Sequence, residues 1–164
     1  AGDSLLIHGA AGGVGTVAVQ LAVARGATVI GTASEANHDY LRSLGAVPIT
    51  YGQGLVERVR QVAPQGIDAV YDVAGKGALE DSIELRGGTS RILTIADPSG
   101  PGLGIPMSNS FPDTAAQHLA ELAQQVADGK IRVEIADDLP LAEAAKAMQL
   151  NETGHSRGKI VLHR

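Results

Sequence analysis

Short apolar runs alternate along this chain with longer stretches whose apolar residues recur at helical spacing. Runs rich in Val, Ile and Leu lie at 4–8, 27–33, 46–50, 67–73 and 90–96. They are apolar on both faces, as strands covered on both sides are. Between them, Val17, Leu21 and Ala24 share one face of a first helical stretch. Leu41 and Leu44 sit in a second, and Leu55, Val59 and Val62 fall at i, i+4 and i+7 in a third. Gly26, Gly45 and Gly66 stand where those helices should stop. Strand–helix–strand alternation of this kind requires parallel strands joined by crossover helices. The pattern therefore predicts an α/β fold with a doubly wound parallel sheet.

The rhythm changes near residue 97. The segment DPSGPGLGIPMSNSFPD (97–113) is rich in Pro, Gly and Ser and holds one short candidate strand at about 103–107. A long amphipathic helix follows at about 113–128, with Leu119, Leu122 and Val126 on one face. Then come a strand at 131–135, a helix at 140–150 and a last strand at 159–163. Residues 1–112 read as one layered domain and residues 113–164 as a C-terminal α/β appendage.

Composition narrows the function classes. The 164 residues are 44% hydrophobic and only 2% aromatic, so the core is built of Val, Leu, Ile and Ala. A net charge of -5 with no basic tract argues against nucleic acid as a partner. No run is long and apolar enough to span a bilayer, and no signal peptide is evident, so no membrane partner is expected. Cysteine is absent, which removes disulfides and thiolate metal sites and fits a cytoplasmic location.

The candidate chemistry sits at the first sharp bend, in LLIHGAAGGVGTVAVQLA (5–22). A strand that ends in small residues and opens a helix suits a phosphate. The helix start offers free N–H groups and partial positive charge, and small residues let a pyrophosphate reach the backbone. Set against G-x-G-x-x-G, Gly12 and Gly15 fit, and Ala10 replaces the first glycine. The candidate phosphate loop is Ala10, Ala11, Gly12, Gly13, Val14 and Gly15. An acid at the end of the second strand would bind a ribose 2′-hydroxyl and favour NAD. Ser34 stands there instead, which favours NADP(H). Glu35 is next to it and keeps NAD open, and His38 and Arg42 are near enough to add positive charge.

GDSLLIHGAAGGVGTVAVQLA, RSLGA (42–46), GIDAVYDVAG (66–75), RILTIAD (91–97) and RGKIVL (157–162) run in one order. Together they resemble the medium-chain dehydrogenase/reductase superfamily, in its zinc-free quinone oxidoreductase branch. The resemblance covers nearly the whole chain. It implies a Rossmann-type cofactor domain followed by the C-terminal part of a GroES-like catalytic domain, with the first part of that domain absent. It also implies site residues. Ser34, Asn37 and Tyr51 would surround a 2′-phosphate. Asn37 replaces a frequent Lys or Arg, and the run before Tyr51 is one residue shorter than usual. Val73, Ala74 and Gly75 would border the nicotinamide ribose, Ile95 and Ala96 the nicotinamide ring, and Arg157 would reach the cofactor. The strand near 103–107 resembles the edge through which family members pair into homodimers, although Pro101 and Pro106 limit its hydrogen bonding.

Other chemistries lack their residues. The histidines at 8, 38, 118, 155 and 163 show no ligand spacing, so no zinc is expected. No tyrosine has a lysine four positions on, and neither a P-loop nor a nucleophile elbow is present. His8 is expected to be packed or hydrogen-bonded at its strand end, and Asp72 to satisfy nearby backbone or a ribose hydroxyl. Hydride chemistry belongs to the cofactor, so no catalytic side chain is named. The expected activity is hydride transfer from NADPH to a small-molecule quinone, enone or activated carbonyl. A non-catalytic NADPH sensor, an NAD-dependent alcohol dehydrogenase-like enzyme and an S-adenosylmethionine-binding domain stay as alternatives.

Overall fold

The computed structural model describes residues 2–108, 113–154 and 156–164. Five parallel strands form the main sheet: β1 (Ser4–His8), β2 (Thr28–Thr32), β3 (Val47–Ile49), β4 (Ala69–Asp72) and β5 (Ile92–Thr94). Their order is β3-β2-β1-β4-β5, all parallel. The connecting helices are α1 (Gly15–Ala24), α2 (His38–Ser43), α3 (Leu55–Val62) and α4 (Leu79–Arg86). The predicted doubly wound sheet is present.

Alternation along the strands divides the core in two. Leu6 of β1, Ile30 of β2, Val70 of β4 and Ile92 of β5 pack with Leu55 and Val59 of α3 and Leu79 of α4. Ile7 and Val29 point the other way, to Val19 of α1 and to Tyr40 and Leu41 of α2. Successive residues of one strand thus serve opposite layers, which is why the strands read as unbroken apolar runs. The three expected helix stops are glycines with φ of +78° (Gly26), +87° (Gly45) and +88° (Gly66), a conformation that resists a side chain.

After β5 the structure departs from the sequence pattern. The candidate strand at 103–107 is not a strand. Gly100–Leu103 is a 3-10 helix, and pairing with β5 reduces to a single bridge between Met107 and Thr94. Pro106 has no N–H, and Gly104 turns the chain at φ +76°, so only the Pro106 carbonyl and the Ser108 N–H bond Thr94. The boundary expected at 112 falls on residues 109–112, outside the described residues.

The remainder comprises α5 (Ala115–Ala127), β6 (Ile135–Pro140), α6 (Ala144–Glu152) and β7 (Lys159–His163). β6 and β7 pair in parallel as a separate two-stranded sheet. The strand expected at 131–135 begins only at Ile135, and ahead of it the Gln20 side chain of α1 pairs with the Arg132 backbone. Its amide oxygen accepts the Arg132 N–H at 2.8 Å and its amide nitrogen donates to the Arg132 carbonyl at 2.8 Å. That pair ties the appendage to the first helix. No helix among the described residues is long and apolar enough to cross a membrane.

Candidate functional site

Strand register puts the candidate residues at one edge of the sheet. His8 pairs with Asp72, Asp72 with Thr94, and Thr32 with Ile49. The loops after all five strands therefore leave from one level. β1 sits between β2 and β4, so successive connections diverge on either side of it. In open α/β sheets, ligands bind at the carboxyl edge at such a switch point.

The glycine turn leaves β1 there. A Cβ on Gly15 would drive into the Gly9 carbonyl and the Ala10 backbone, and one on Gly12 would lie 3.3 Å from the same carbonyl. Ala10 is fully buried, where Gly31 leaves space for its methyl group. It shapes the turn from beneath while Gly9, Gly12, Gly13 and Val14 line the cleft above. No side chain caps α1 and its first turn carries no acid. The helix start thus keeps donors and positive character for an anion.

The far wall of this cleft, of about 480 Å³, comes from the C-terminal segment: Ala144, Ala147, Met148, Asn151, Lys159, Ile160 and Leu162. Val73 closes one end. The wall is fastened to the turn by main chain. The Gly158 N–H donates to the Ala11 carbonyl at 3.1 Å, and Gly12 and Gly158 form a bridge. Gly13 leaves room for the Lys159 stem, since a Cβ there would come 2.6 Å from Lys159 Cδ. The sequence pattern does not single out Lys159. Its only signal was its place beside Arg157 and Gly158 in RGKIVL, and nothing local showed that this segment faces the first turn.

Ser34 and Tyr51 each lie two residues beyond the paired Thr32 and Ile49, in the loops that leave these neighbouring strand ends. The Asn37 side-chain amide donates to Ser34 Oγ at 3.2 Å. Tyr51 is 54% exposed. Glu35 is exposed at the start of a 3-10 turn, Glu35–Asn37.

The loop after β4 is held by Asp72. One carboxylate oxygen accepts the Ala74 and Gly75 N–H groups at 3.0 and 3.1 Å, and the other accepts the Thr94 hydroxyl at 2.7 Å. Thr94 Oγ1 in turn accepts the Ala96 and Asp97 N–H groups at 3.1 and 2.9 Å. Gly75 lies so close to the Ala96 carbonyl that a side chain would collide with it. Val73, Ala74, Gly75, Ile95 and Ala96 are thus brought together by one buried acid. Asp72 satisfies backbone, as its place at a strand end suggested.

His8 is 1% exposed and bonds Ser82 Oγ through Nε2 at 2.9 Å. The Ser82 hydroxyl already donates to the Ala78 carbonyl at 2.6 Å, so His8 Nε2 is the donor. Burial holds the His8 pKa down at about 4, against the opposing pull of Asp72. His8 is neutral packing.

Arg157 does not line the cleft. It bonds Glu134 at 3.1 Å, and its guanidinium stacks on Tyr40 at 5.0 Å, with Arg132 5.2 Å from the same ring. It clasps the C-terminal segment to α2. A shallower depression of about 650 Å³ runs over Tyr71, Leu93 and Pro106 on β4 and β5, away from the glycine turn.

Residues 44–162 match the family model described as zinc-binding dehydrogenase. A quinone oxidoreductase of Pseudomonas aeruginosa is 32% identical over 98% of this chain and 56% of its own length. The structure of the quinone oxidoreductase from Coxiella burnetii superposes with a TM-score of 0.81 at 34% identity, over 98% of this chain and 52% of that one. A mycobacterial protein solved with NADPH gives 0.81 at 27% identity, over 99% of this chain and 58% of that one. This chain thus spans about half the length of these relatives. The family name mentions zinc. This chain has no cysteine, and its described residues hold no group of three or more His, Asp or Glu able to bind a metal ion. The matched model, the glycine turn and the superposed fold place this chain in the zinc-binding dehydrogenase family, in the quinone oxidoreductase-like branch of the medium-chain dehydrogenase/reductase superfamily.

Proposed function

We propose that this chain is the NADP(H)-binding part of a zinc-independent oxidoreductase that reduces a quinone, enone or activated carbonyl. The observation that carries the reading is the cleft at the switch point, with an uncapped helix start on one wall and Lys159 on the other. The residues fit the cofactor. Gly12 and Gly13 bring backbone within reach of a pyrophosphate, and Lys159 supplies charge opposite the α1 dipole. Ser34, Asn37 and Tyr51 offer hydroxyl and amide groups and no acid at the position where a 2′-phosphate would lie. The NADPH bound to the mycobacterial neighbour supports the same preference. The loops held by Asp72 and Thr94 would border the nicotinamide. When bound, the cofactor supplies the hydride, and the protein's own groups set its position. The substrate would close over the apolar wall of Met148, Ile160 and Leu162. The edge bridged through Met107 would serve pairing of two copies.

Calorimetric titration with NADPH and NADH at matched salt tests this. The expected result is NADPH binding tighter by about tenfold or more, or ~1.4 kcal/mol. Equal or tighter NADH binding would assign the second-strand end to Glu35 and NAD. Consumption of NADPH by the full-length protein with quinones or enones separates the enzyme from a non-catalytic sensor.

A further inference from the structure

The loop that carries Tyr51 has little of its own to hold it. β3 ends at Ile49, and residues 50–54 (TYGQG) contain two glycines at positive φ, Gly52 at +85° and Gly54 at +78°. Such a loop has many conformations open to it. One side chain from α3 reaches back and gathers it. Arg58 donates from Nε to the Thr50 carbonyl at 2.9 Å and from Nη1 to the Gln53 carbonyl at 2.8 Å. From Nη2 it donates to the Tyr51 and Gly52 carbonyls at 3.2 and 3.0 Å. Four consecutive carbonyls thus converge on one guanidinium.

A guanidinium has five N–H groups in a fixed fork, and four are committed here. Arg58 therefore lacks the paired donors for bidentate capture of a phosphate. Its action is on the loop. Without it, four carbonyls would lose the side chain that ties them to α3, and the loop would keep the Leu55 N–H bond to the Gly52 carbonyl. With it, the Tyr51 backbone is fixed on both sides, at the strand end that neighbours the one carrying Ser34.

We propose that Arg58 is a positioning residue for cofactor specificity: it fixes the Tyr51 loop so that the cleft favours a 2′-phosphorylated dinucleotide over an unphosphorylated one. The proposal rests on the reading that the 2′-phosphate lies by Ser34, Asn37 and Tyr51. The glycine turn and Lys159 serve both cofactors alike, so their contribution should be untouched.

The test is calorimetric titration of wild type, Arg58→Lys, Tyr51→Ala and the double variant with NADPH and with NADH, alongside thermal melts. Lysine keeps the charge, but its compact ammonium has no planar fork to span four carbonyls. Arg58→Lys is expected to weaken NADPH about tenfold and NADH less than about threefold, and to add little once Tyr51 is removed. Retained preference in Arg58→Lys would show that charge alone matters and would overturn the proposal. Parallel loss of both cofactors, or an equal effect in the Tyr51→Ala background, would reduce Arg58 to general scaffolding and overturn it too. Wild type that does not prefer NADPH would remove the underlying reading before any variant is considered, and the proposal with it. If Arg58→Lys does not fold, Tyr51→Ala carries the test: it should lower NADPH affinity selectively, and an unchanged preference would overturn the proposal.

Discussion

At the scale of single residues, the informative side chains are those whose donors and acceptors are already spent. His8 stands one position before the glycine turn, at the buried end of β1. Its Nε2–H is used on Ser82 and its ring is sealed from water. Its folded pKa is about 4 against an ordinary 6.5. Between those values the unfolded chain binds the extra proton and the folded chain does not. Stability is therefore complete above pH 6.5 and falls as the pH drops toward 4, by up to about 3 kcal/mol in all. Urea midpoints at pH 7.5, 6 and 5 should show the decline, and His8→Gln should flatten it. A slope unchanged in that variant would assign the effect to other groups.

Among elements, the loops after β4 and β5 behave as one unit. Asp72 gathers two N–H groups and the Thr94 hydroxyl, and Thr94 gathers two more. Removing the carboxylate leaves buried donors without partners, at roughly 1–3 kcal/mol for each group so left. Asp72→Ala should lower stability by about 3 kcal/mol in urea unfolding. It should also weaken binding of the intact dinucleotide more than that of AMP, because on the proposed reading the loosened loops would border the nicotinamide. Equal weakening of both probes would show that the damage spreads to the glycine turn.

Across the whole molecule, the cleft exists because the last 30 or so residues return to the first bend. The return is fixed by Gly158, whose φ is +84° and which lies against the Glu134 carbonyl so tightly that a side chain would collide. Its N–H reaches Ala11. Gly158→Ala should separate the two walls, lowering affinity for NADPH and NADH together by about tenfold or more, while the five-stranded sheet keeps its circular dichroism. A variant with wild-type affinity for both would show that the far wall does not contribute to binding. The clasp of Arg157 and Arg132 over Tyr40 adds a second tie between the same parts of the chain.

What was legible beforehand follows from how local each signal is. The alternation of strands and helices, their parallel sense and the glycine turn were readable because periodicity and backbone freedom act within a few residues. The expected roles of Asp72 and His8 were also readable, since a polar group at a buried strand end must find a partner. The two departures differ in kind. Pro106 withholds a bond inside 103–107, a signal already present in the sequence, whereas the Gln20 side chain that pairs with the Arg132 backbone ahead of β6 lies more than a hundred residues away. The family resemblance implies that Arg157 reaches the cofactor; here its guanidinium bonds Glu134 and stacks on Tyr40. The Lys159 stem, two positions on, lies against Gly13. The sequence by itself determined the order of the elements and the place of the glycine turn. Only the tertiary structure decided which distant side chains complete the cleft, because contacts across the fold are set by packing, and no local pattern encodes the partner.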